Sequence, residues 1–206
     1  MLEKVFRDAA MLWATIDPIG TLALFAALTA RLSAADRRRI AVRATLYSAA
    51  VLVGCVVIGQ IVLDDMGIRL ISLQVAGGVI LFLFGLQMIF GSGMESPSAQ
   101  LESGHDLAVF PLAVPSIASP GAIMAAIVLT DNDLYTVTQQ AATAAVLLAV
   151  LGITCVLMLL SGPILRVIGR NGAAILVKVM GMVLAALSVE LVMQALGIEK
   201  WVHTKL

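Results

Sequence analysis

The sequence predicts an all-α, polytopic membrane protein with six transmembrane helices, and three observations support this fold class. Hydrophobic residues make up 61% of the 206 residues and charged residues only 13%, against about 25% charged residues in a typical soluble domain. The apolar segments are about 20 residues long, the length that a helix needs to cross a hydrocarbon core about 30 Å thick. Aromatic residues make up only 5% of the chain, whereas a transmembrane barrel would show alternating runs of about 10 residues and aromatic girdles.

Six apolar segments are predicted to cross the membrane: 9–30, 40–62, 70–91, 109–130, 136–161 and 174–196. Ser33 stands three residues before Asp36 and is predicted to cap the second helix. The longest loop contains Gly, Ser, Pro and three acids but no Lys or Arg, so it is predicted to be a linker. We therefore predict one membrane domain (1–206), built from a three-helix repeat (1–91), the linker (92–108) and a second three-helix repeat (109–206).

The distribution of basic residues predicts that both termini lie outside the cytoplasm, because short cytoplasmic loops retain Lys and Arg. The side of the first loop carries eight such residues: Arg31, Arg37, Arg38, Arg39, Arg43, Arg166, Arg170 and Lys178. The opposite side carries five: Lys4, Arg7, Arg69, Lys200 and Lys205.

The two halves resemble each other weakly, which predicts an internal repeat. Pro18 and Pro120 are 102 residues apart, and the segments 76–88 and 180–192 match at an offset of 104. Because each half has an odd number of spans, the second half enters the membrane from the opposite side, so the duplication predicts two inverted repeats. Transporters with this architecture bind substrate near the midplane at discontinuous helices, and we expect the first and fourth helices to be discontinuous.

Two apolar spans are interrupted at corresponding places, by Asp-Pro-Ile-Gly at 17–20 and by Ser-Pro-Gly at 119–121. Proline lacks an amide hydrogen and disfavours helical geometry at the residue before it, and glycine lets the chain turn. Irregular backbone at this depth is tolerated where it is buried in protein or lines a wet cavity. The half-helix after each proline would direct amide groups and the positive end of its dipole at the gap, where they could hold a carboxylate.

The predicted substrate site comprises residues of both interruptions and the hydroxyl residues beside them: Asp17, Pro18, Gly20, Thr21, Ser116, Ser119, Pro120 and Gly121. A simple packing kink is the alternative at each proline.

Three polar residues within the spans, Asp17, Gln87 and Glu190, form a candidate coupling or polar network. Asp17 could instead cap the half-helix that follows, a role compatible with lining the site. Glu190 could snorkel to the interface or pair with a neighbour, and Gln87 could join helices. The glycines Gly77, Gly78 and Gly181 are predicted to let helices approach closely.

No enzyme, metal site, cofactor or nucleic-acid partner is predicted. The spans contain no Ser-His-Asp, His-Glu-x-x-His or paired-carboxylate pattern. His105 and His203 lack ligand spacing to Cys or carboxylates, and the chain has no long basic block.

Four stretches resemble successive blocks of the MarC family of six-span bacterial inner-membrane proteins, also called the neutral amino acid transporter family: DPIGTLALFAALTARLSAADRR, VAGGVILFLFGLQMIFG, FPLAVPSIASPGAI and VMGMVLAALSVELVMQALG. The family's hallmarks are an Asn-Pro-x-Gly motif in the first span and a Pro-x-x-x-Gly-Pro-Gly motif in the fourth. These correspond here to 17–20 and 115–121, with Asp17 in place of Asn and Ser119 in place of Gly. Glu190 stands where Gln is common in the last span.

The resemblance implies a multi-pass secondary transporter of small neutral amino acids of the alanine, glycine, serine and threonine class in a bacterial inner membrane. The substrate carboxylate would meet the amides after Gly20 and Gly121, and its ammonium would meet Asp17 and freed carbonyls. A coupling proton or sodium ion and the lipid bilayer would be further partners, and a homo-oligomer is left open. The alternative is a membrane binding or assembly protein without transport, in which the interruptions shape a partner surface.

Overall fold

The chain forms a bundle of helices, which a computed structural model describes for residues 2–91 and 107–198, without the side chains of Leu165, Arg170, Asn171 and Ala173. The described residues contain no strand. They form eight helical segments: α1 (Leu2–Ile16), α2 (Pro18–Leu28), α3 (Ala34–Asp65), α4 (Leu70–Phe90), α5 (Ala108–Ile117), α6 (Pro120–Val128), α7 (Val137–Leu159) and α8 (Ser161–Ala195). The all-α fold class is confirmed. Most of the predicted linker 92–108, namely 92–106, lies outside the described residues.

Among the described residues, five segments are long and apolar enough to cross a membrane: Leu2–Leu28, Ala34–Asp65, Leu70–Phe90, Val137–Leu159 and Ala174–Ala195. The first of these combines α1 and α2. Taken together, α5 and α6 are also long and apolar enough to cross a membrane, but the two segments are bent by 54° relative to each other. They form a sixth span if the bend lies within one crossing. The prediction of a protein with several spans is confirmed, at five to six.

The first span begins at Leu2, earlier than the predicted start at residue 9. The prediction left out the polar turn containing Lys4 and Asp8, but this turn is helical, and Asp8 is only 1% exposed. A buried carboxylate requires partners, and those of Asp8 lie partly in the second half of the chain.

Ser33 caps α3, as predicted. Its hydroxyl accepts a hydrogen bond from the Asp36 amide at 3.2 Å and donates one to the Asp36 carboxylate at 2.6 Å. The predicted start of the second helix is therefore confirmed, and the arginine-rich segment after it is helical from Ala34 onward.

The interrupted spans lie at the centre of the bundle. In an apolar stretch of 18 residues within the first span, 61% of the residues are buried inside the protein. The same share is 33% or less in each of the other four candidate spans. In α6, six of the nine residues are buried. α1 packs on α6 and α7, and α2 packs on α5, α7 and α8. The capping residues Asp17 and Ser119 are thereby buried, at 4% and 5% exposed, whereas Pro120 stays exposed.

The segment α5 is irregular, because Phe110 and Val114 have extended rather than helical backbone angles. Each of these residues precedes a proline, and the proline ring disfavours helical geometry at the residue before it.

Glycines bring α4 and α8 into backbone contact. A Cβ atom at Gly85 would lie 2.8 Å from the Gly181 carbonyl oxygen, and one at Gly181 would lie 2.8 Å from the Gly85 carbonyl oxygen. Gly78 faces Val192 and the Ser188 carbonyl of α8 in the same way. The predicted role of all three glycines in close helix contact is confirmed: Gly78 and Gly181 lie between α4 and α8, and Gly77 of α4 faces Met124 of α6.

Candidate functional site

The first interruption is formed by Asp17, whose backbone is in the left-handed region between α1 and α2, with φ 49° and ψ 69°. Its Oδ1 atom accepts a hydrogen bond from the Gly20 amide at 3.0 Å, and its carbonyl accepts one from the Thr21 amide at 3.0 Å. Pro18 occupies the first position of α2, where an amide hydrogen would have no partner within the helix. The predicted capping role of Asp17 is confirmed.

Ser119 caps α6 in the same pattern. Its Oγ atom accepts a hydrogen bond from the Ala122 amide at 3.0 Å, and its carbonyl accepts one from the Ile123 amide at 2.9 Å. Pro120 then occupies the first position of α6, as Pro18 does in α2. The two caps therefore bind the amides three and four residues ahead, and Ser119 follows Asp17 by 102 residues, the same spacing as the two prolines.

Two hydrogen bonds join the interruptions to each other. Ser119 Oγ donates to the Thr15 carbonyl at 3.0 Å, and the hydroxyl oxygens of Thr21 and Ser116 are 3.2 Å apart. Thr15, Asp17, Thr21 and Ser119 are each 5% exposed or less. The structure thus brings the two predicted groups together, with Asp17, Pro18, Gly20 and Thr21 on one side and Ser116, Ser119, Pro120 and Gly121 on the other. Five of these eight residues are buried, Gly20 and Ser116 are partly buried, and Pro120 is exposed.

Each interruption retains an amide group that is not hydrogen-bonded within the described part of the chain. These are the amides of Ile19 and Gly121, since the caps bind only the amides that follow. Asp17 Oδ2 likewise has no hydrogen bond within the described ranges. The site therefore offers two amide donors, one carboxyl oxygen and a pair of hydroxyl groups, which is a suitable set for a small polar molecule.

Glycine is required on both sides of the site by close contacts. A Cβ atom at Gly20 would overlap the Asp17 carboxylate, and one at Gly121 would overlap the Leu81 side chain of α4. A larger residue at either position would displace the cap or push α4 away from α6.

The predicted network of Asp17, Gln87 and Glu190 is not present. Gln87 and Glu190 have exposed side chains, whereas Asp17 is 4% exposed. Glu190 accepts a hydrogen bond from Gln194 one turn along α8, at 3.0 Å. The sequence could not indicate this separation, because almost uniformly apolar helices carry little information about which face points inward. The alternative for Glu190, pairing with a neighbour, agrees with the structure.

A second buried polar cluster was not predicted. The Lys4 ammonium contacts Asp8 Oδ2 at 2.5 Å, Thr143 Oγ1 at 2.7 Å and the Leu129 carbonyl at 3.2 Å, and it lies 4.0 Å from the centre of the Tyr135 ring. We call these five residues the Lys4 cluster. The spacing of Lys4 and Asp8 is a recognisable ion-pair signal on a helix, but their partners are more than a hundred residues away in sequence.

Arg37 makes a corresponding contact at the other end of the bundle. Its guanidinium donates to the buried Ser161 hydroxyl at 2.8 Å and lies 5.7 Å from the centre of the Phe25 ring. The basic loop was predicted only as a topology signal, and this contact with the start of α8 could not be predicted from it.

These observations define an α-helical, polytopic membrane protein whose polar centre is formed by two capped helix interruptions. The family model described as MarC family integral membrane protein matches residues 2–201. The chain belongs to this family, which confirms the resemblance seen in the sequence motifs.

Relatives cover nearly the whole chain. A UPF0056 membrane protein of Archaeoglobus fulgidus is 35% identical over 202 residues, which cover 95% of this chain and 93% of the relative. The UPF0056 inner membrane protein YhgN of Escherichia coli K12 is 29% identical over 200 residues, with coverage of 97% and 98%. The UPF0056 inner membrane protein MarC of Escherichia coli O1:K1 is 31% identical over 198 residues, with coverage of 87% and 88%. No solved structure matches the chain significantly.

Proposed function

We propose that this protein is a secondary transporter of small neutral amino acids in a bacterial inner membrane and that it binds its substrate between the two interruptions. In this proposal, residues 1–91 and 109–206 are inverted repeats, and Leu2–Leu28 and Ala108–Val128 are the corresponding discontinuous spans. The observation that carries it is the pair of matched caps at Asp17 and Ser119, joined by hydrogen bonds between the halves.

The chemistry of the site supports an amino acid as substrate. A carboxylate can accept hydrogen bonds from the free amides of Ile19 and Gly121, at helix N-termini that favour negative charge. An ammonium group can donate to Asp17 Oδ2, which is not used by the cap. The hydroxyl groups of Thr21 and Ser116, 3.2 Å apart, add two neutral hydrogen-bonding groups to the site.

Two long-range contacts support six crossings rather than five. Lys4 contacts Leu129 and the Tyr135 ring, so the N-terminus and the loop after α6 lie on the same side of the membrane. Arg37 contacts Ser161, so the loops after α2 and α7 also share a side. Both contacts require an even number of crossings between their partners, which holds if α5 and α6 form one span and fails if they form a re-entrant loop.

Relatives and charge support the proposed location and orientation. Two Escherichia coli relatives are named inner membrane proteins. The excess of Lys and Arg beside the first loop favours placing Arg37, Arg38 and Arg39 in the cytoplasm and both termini outside.

Uptake of labelled alanine into proteoliposomes tests the proposal, with and without an imposed pH or sodium gradient. We expect uptake to exceed that of protein-free liposomes and to respond to one of the two gradients, which would identify the coupling ion. Thr21→Val and Ser116→Ala remove the hydroxyl pair and should each reduce uptake. Thr138→Val makes the same change at an exposed position of α7 and should leave uptake unaltered.

The alternative, a binding or assembly protein without transport, has a different outcome in the same assay. Such a protein would give no uptake above the protein-free background under any gradient. That result, obtained with protein that is folded and inserted, would overturn the transport proposal.

A further inference from the structure

The Lys4 ammonium lies in a site with three oxygen acceptors. Asp8 Oδ2, Thr143 Oγ1 and the Leu129 carbonyl surround it at 2.5 to 3.2 Å, and an ammonium group has three hydrogens to donate. Asp8 and Thr143 are each 1% exposed and Leu129 is 4% exposed, so these acceptors are held in a fixed, buried arrangement. The position of the Lys4 nitrogen therefore marks a binding position for a primary ammonium group.

Asp8 retains an unused acceptor at this position. Its Oδ1 atom is buried and has no hydrogen-bond partner within residues 2–91 and 107–198. Buried carboxylate oxygens are normally satisfied, and an unsatisfied one calls for an explanation such as a ligand. Asp8 therefore has a free oxygen for a second donor beside the ammonium position.

The charges at the site select the class of ligand that can replace the Lys4 ammonium. A free cation would pair with Asp8 but leave the Lys4 charge without its partner. A free anion would pair with Lys4 but leave the Asp8 charge without its partner. Leaving one member of a buried ion pair uncompensated is strongly unfavourable. A small zwitterion avoids both costs, because its ammonium can pair with Asp8 while its carboxylate pairs with the displaced Lys4.

The surroundings provide a place for that carboxylate. The Lys4 side chain is 10% exposed and lies in the first turn of α1, so its four-carbon stem can turn toward the surface without moving the helix. Arg7 is exposed one turn further along and donates to the Tyr135 hydroxyl at 2.8 Å, which belongs to the ring that Lys4 contacts. Two basic groups thus border the outer side of the ammonium position.

We propose that the Lys4 cluster is a second binding site for a small zwitterion with a primary ammonium group, namely a free amino acid. The ligand ammonium occupies the position of the Lys4 nitrogen between Asp8, Thr143 and the Leu129 carbonyl, and its carboxylate pairs with Lys4 and Arg7. The biological role rests on the proposed transport function, in which this site would receive substrate at one end of the bundle.

The site is connected to the interruptions through one face of α1. Lys4, Asp8 and Thr15 follow each other at intervals of four and seven residues, which places them on the same face of the helix. Thr15 accepts the hydrogen bond from Ser119 at the second interruption. Asp8 and Asp17 are nine residues apart, or roughly 14 Å at 1.5 Å per residue, so both sites can exist in one molecule without sharing a ligand.

Ligand binding to the purified full-length protein in lipid nanodiscs tests this site without requiring transport. The ligands are L-alanine, ethylammonium, propionate and glycine betaine, measured by calorimetry and by the shift in melting temperature. We expect the wild-type protein to bind alanine and to bind each of the other three at least tenfold more weakly, because they lack one charge or the ammonium hydrogens.

Two variants should change the selectivity of the site in opposite directions. Lys4→Met leaves the Asp8 carboxylate, so at the Lys4 cluster alanine should bind at least tenfold more weakly and ethylammonium at least tenfold more tightly than in the wild type, while alanine binding at the interruptions should be unchanged. Asp8→Asn leaves the Lys4 ammonium, so propionate should gain affinity and alanine should lose it. Lys178→Met and Asp64→Asn make the same changes at exposed positions and should bind alanine as the wild type does.

A variant that keeps the ion pair covers the case in which the charge variants fail to fold. Thr143→Val retains the shape of the side chain but removes one of the three acceptors, and it should weaken alanine binding at least tenfold. Ser119→Ala alters the interruption and serves to separate the two sites, since alanine should still bind at the Lys4 cluster of this variant.

Three results would overturn the proposal. In the first, the wild-type protein does not bind alanine. In the second, the Lys4, Asp8 and Thr143 variants all bind alanine as the wild type does. In the third, these variants lower the melting temperature and alanine affinity without the opposite gains for ethylammonium and propionate, which is the result expected of a purely structural ion pair. Alanine binding with the predicted selectivity but without uptake into proteoliposomes would overturn the transport function and leave this site supported.

Discussion

At the scale of single residues, Asp17 combines three properties that few side chains share. It tolerates the left-handed backbone at φ 49°, it caps α2 through Oδ1, and its second carboxyl oxygen, Oδ2, takes no part in the cap. Asp and Asn adopt the left-handed region more readily than other residues with side chains. The Asn that the MarC motif carries at this position would share the first two properties. At this position, therefore, the chain differs from the motif only in having a carboxyl group in place of an amide.

Substitutions of Asp17 separate these properties. Asp17→Asn keeps the cap and the backbone tolerance but removes the charge, and losing a charge-assisted hydrogen bond of about 1.5–3 kcal/mol should lower apparent alanine affinity about tenfold or more. Protein abundance should change little. Asp17→Ala should reduce abundance and melting temperature as well, because it loses a cap of about 1 kcal/mol and strains the left-handed backbone by a further 1–2 kcal/mol, roughly.

Uptake kinetics and thermal unfolding of both variants check this prediction. Asp17→Gly is a useful third variant, since glycine relieves the backbone strain and costs only about a few tenths of a kcal/mol at a cap. An Asn variant with the affinity of the wild type would show that Asp17 acts only as a cap.

Glu190 provides a contrasting prediction at the same scale. Its side chain is exposed and bonds to Gln194 at 3.0 Å, apart from the interruptions. We expect Glu190→Gln to retain uptake and its response to an imposed pH gradient, since an amide can keep a hydrogen bond with Gln194. A variant that still takes up alanine but no longer responds to the pH gradient would place proton coupling at Glu190 and contradict this assignment.

At the scale of elements, the contact between α4 and α8 depends on two facing glycines. Lipid is as apolar as the helix surface, so helices in a membrane associate through close packing rather than through the hydrophobic effect. Gly85 and Gly181 each face a carbonyl oxygen of the other helix, and backbone cannot move aside as a flexible side chain can.

Adding a methyl group at this contact should therefore separate the helices. We expect Gly85→Ala and Gly181→Ala to destabilise the protein by about 1–3 kcal/mol each, as overpacking of a tight interior does. Gly54→Ala and Gly152→Ala are matched controls, since no atom lies within 4 Å of the added Cβ and alanine favours the helix. Melting temperatures in detergent give the comparison, and equal values for all four variants would contradict the packing argument.

The elements also show what could be predicted from the sequence. Apolar length predicted the positions of the spans, and the Pro and Gly residues predicted both interruptions, because these signals are local. The left-handed conformation of Asp17 and the partners of Lys4 could not be predicted, since they depend on contacts made after folding. The exposed positions of Gln87 and Glu190, apart from the interruptions, could not be predicted either, because a helix that is apolar all round does not indicate its inward face.

At the scale of the whole molecule, the two ends of the bundle are closed by different contacts. The Lys4 cluster contains a buried ion pair, whereas Arg37 at the opposite end is paired with the neutral hydroxyl of Ser161. Both contacts join the first half of the chain to the second, and the interruptions lie between them. This arrangement is the one expected if the halves move relative to each other around a central site, as inverted-repeat transporters do.

The number of crossings decides whether that arrangement is an inverted repeat. Ala35 lies at the start of α3, and Leu134 lies in the loop after α6, where it is 69% exposed. Three spans separate them if α5 and α6 form one crossing, so the two positions should lie on opposite sides of the membrane. Only two separate them if α5 and α6 form a re-entrant loop, and both positions would then lie on one side.

Labelling of intact cells with a membrane-impermeant maleimide distinguishes these cases, in a background without Cys55 and Cys155, both of which lie within helices. We expect Leu134→Cys to react in intact cells and Ala35→Cys to react only after the membrane is permeabilised, since the arginines after Ala35 favour the cytoplasm. The reverse pattern would keep six crossings and invert the orientation. Reaction of both positions from the same side would exclude the inverted repeat, because α5 and α6 would then form a re-entrant loop and the second half would cross the membrane only twice, whereas inversion requires an odd number of crossings in each half.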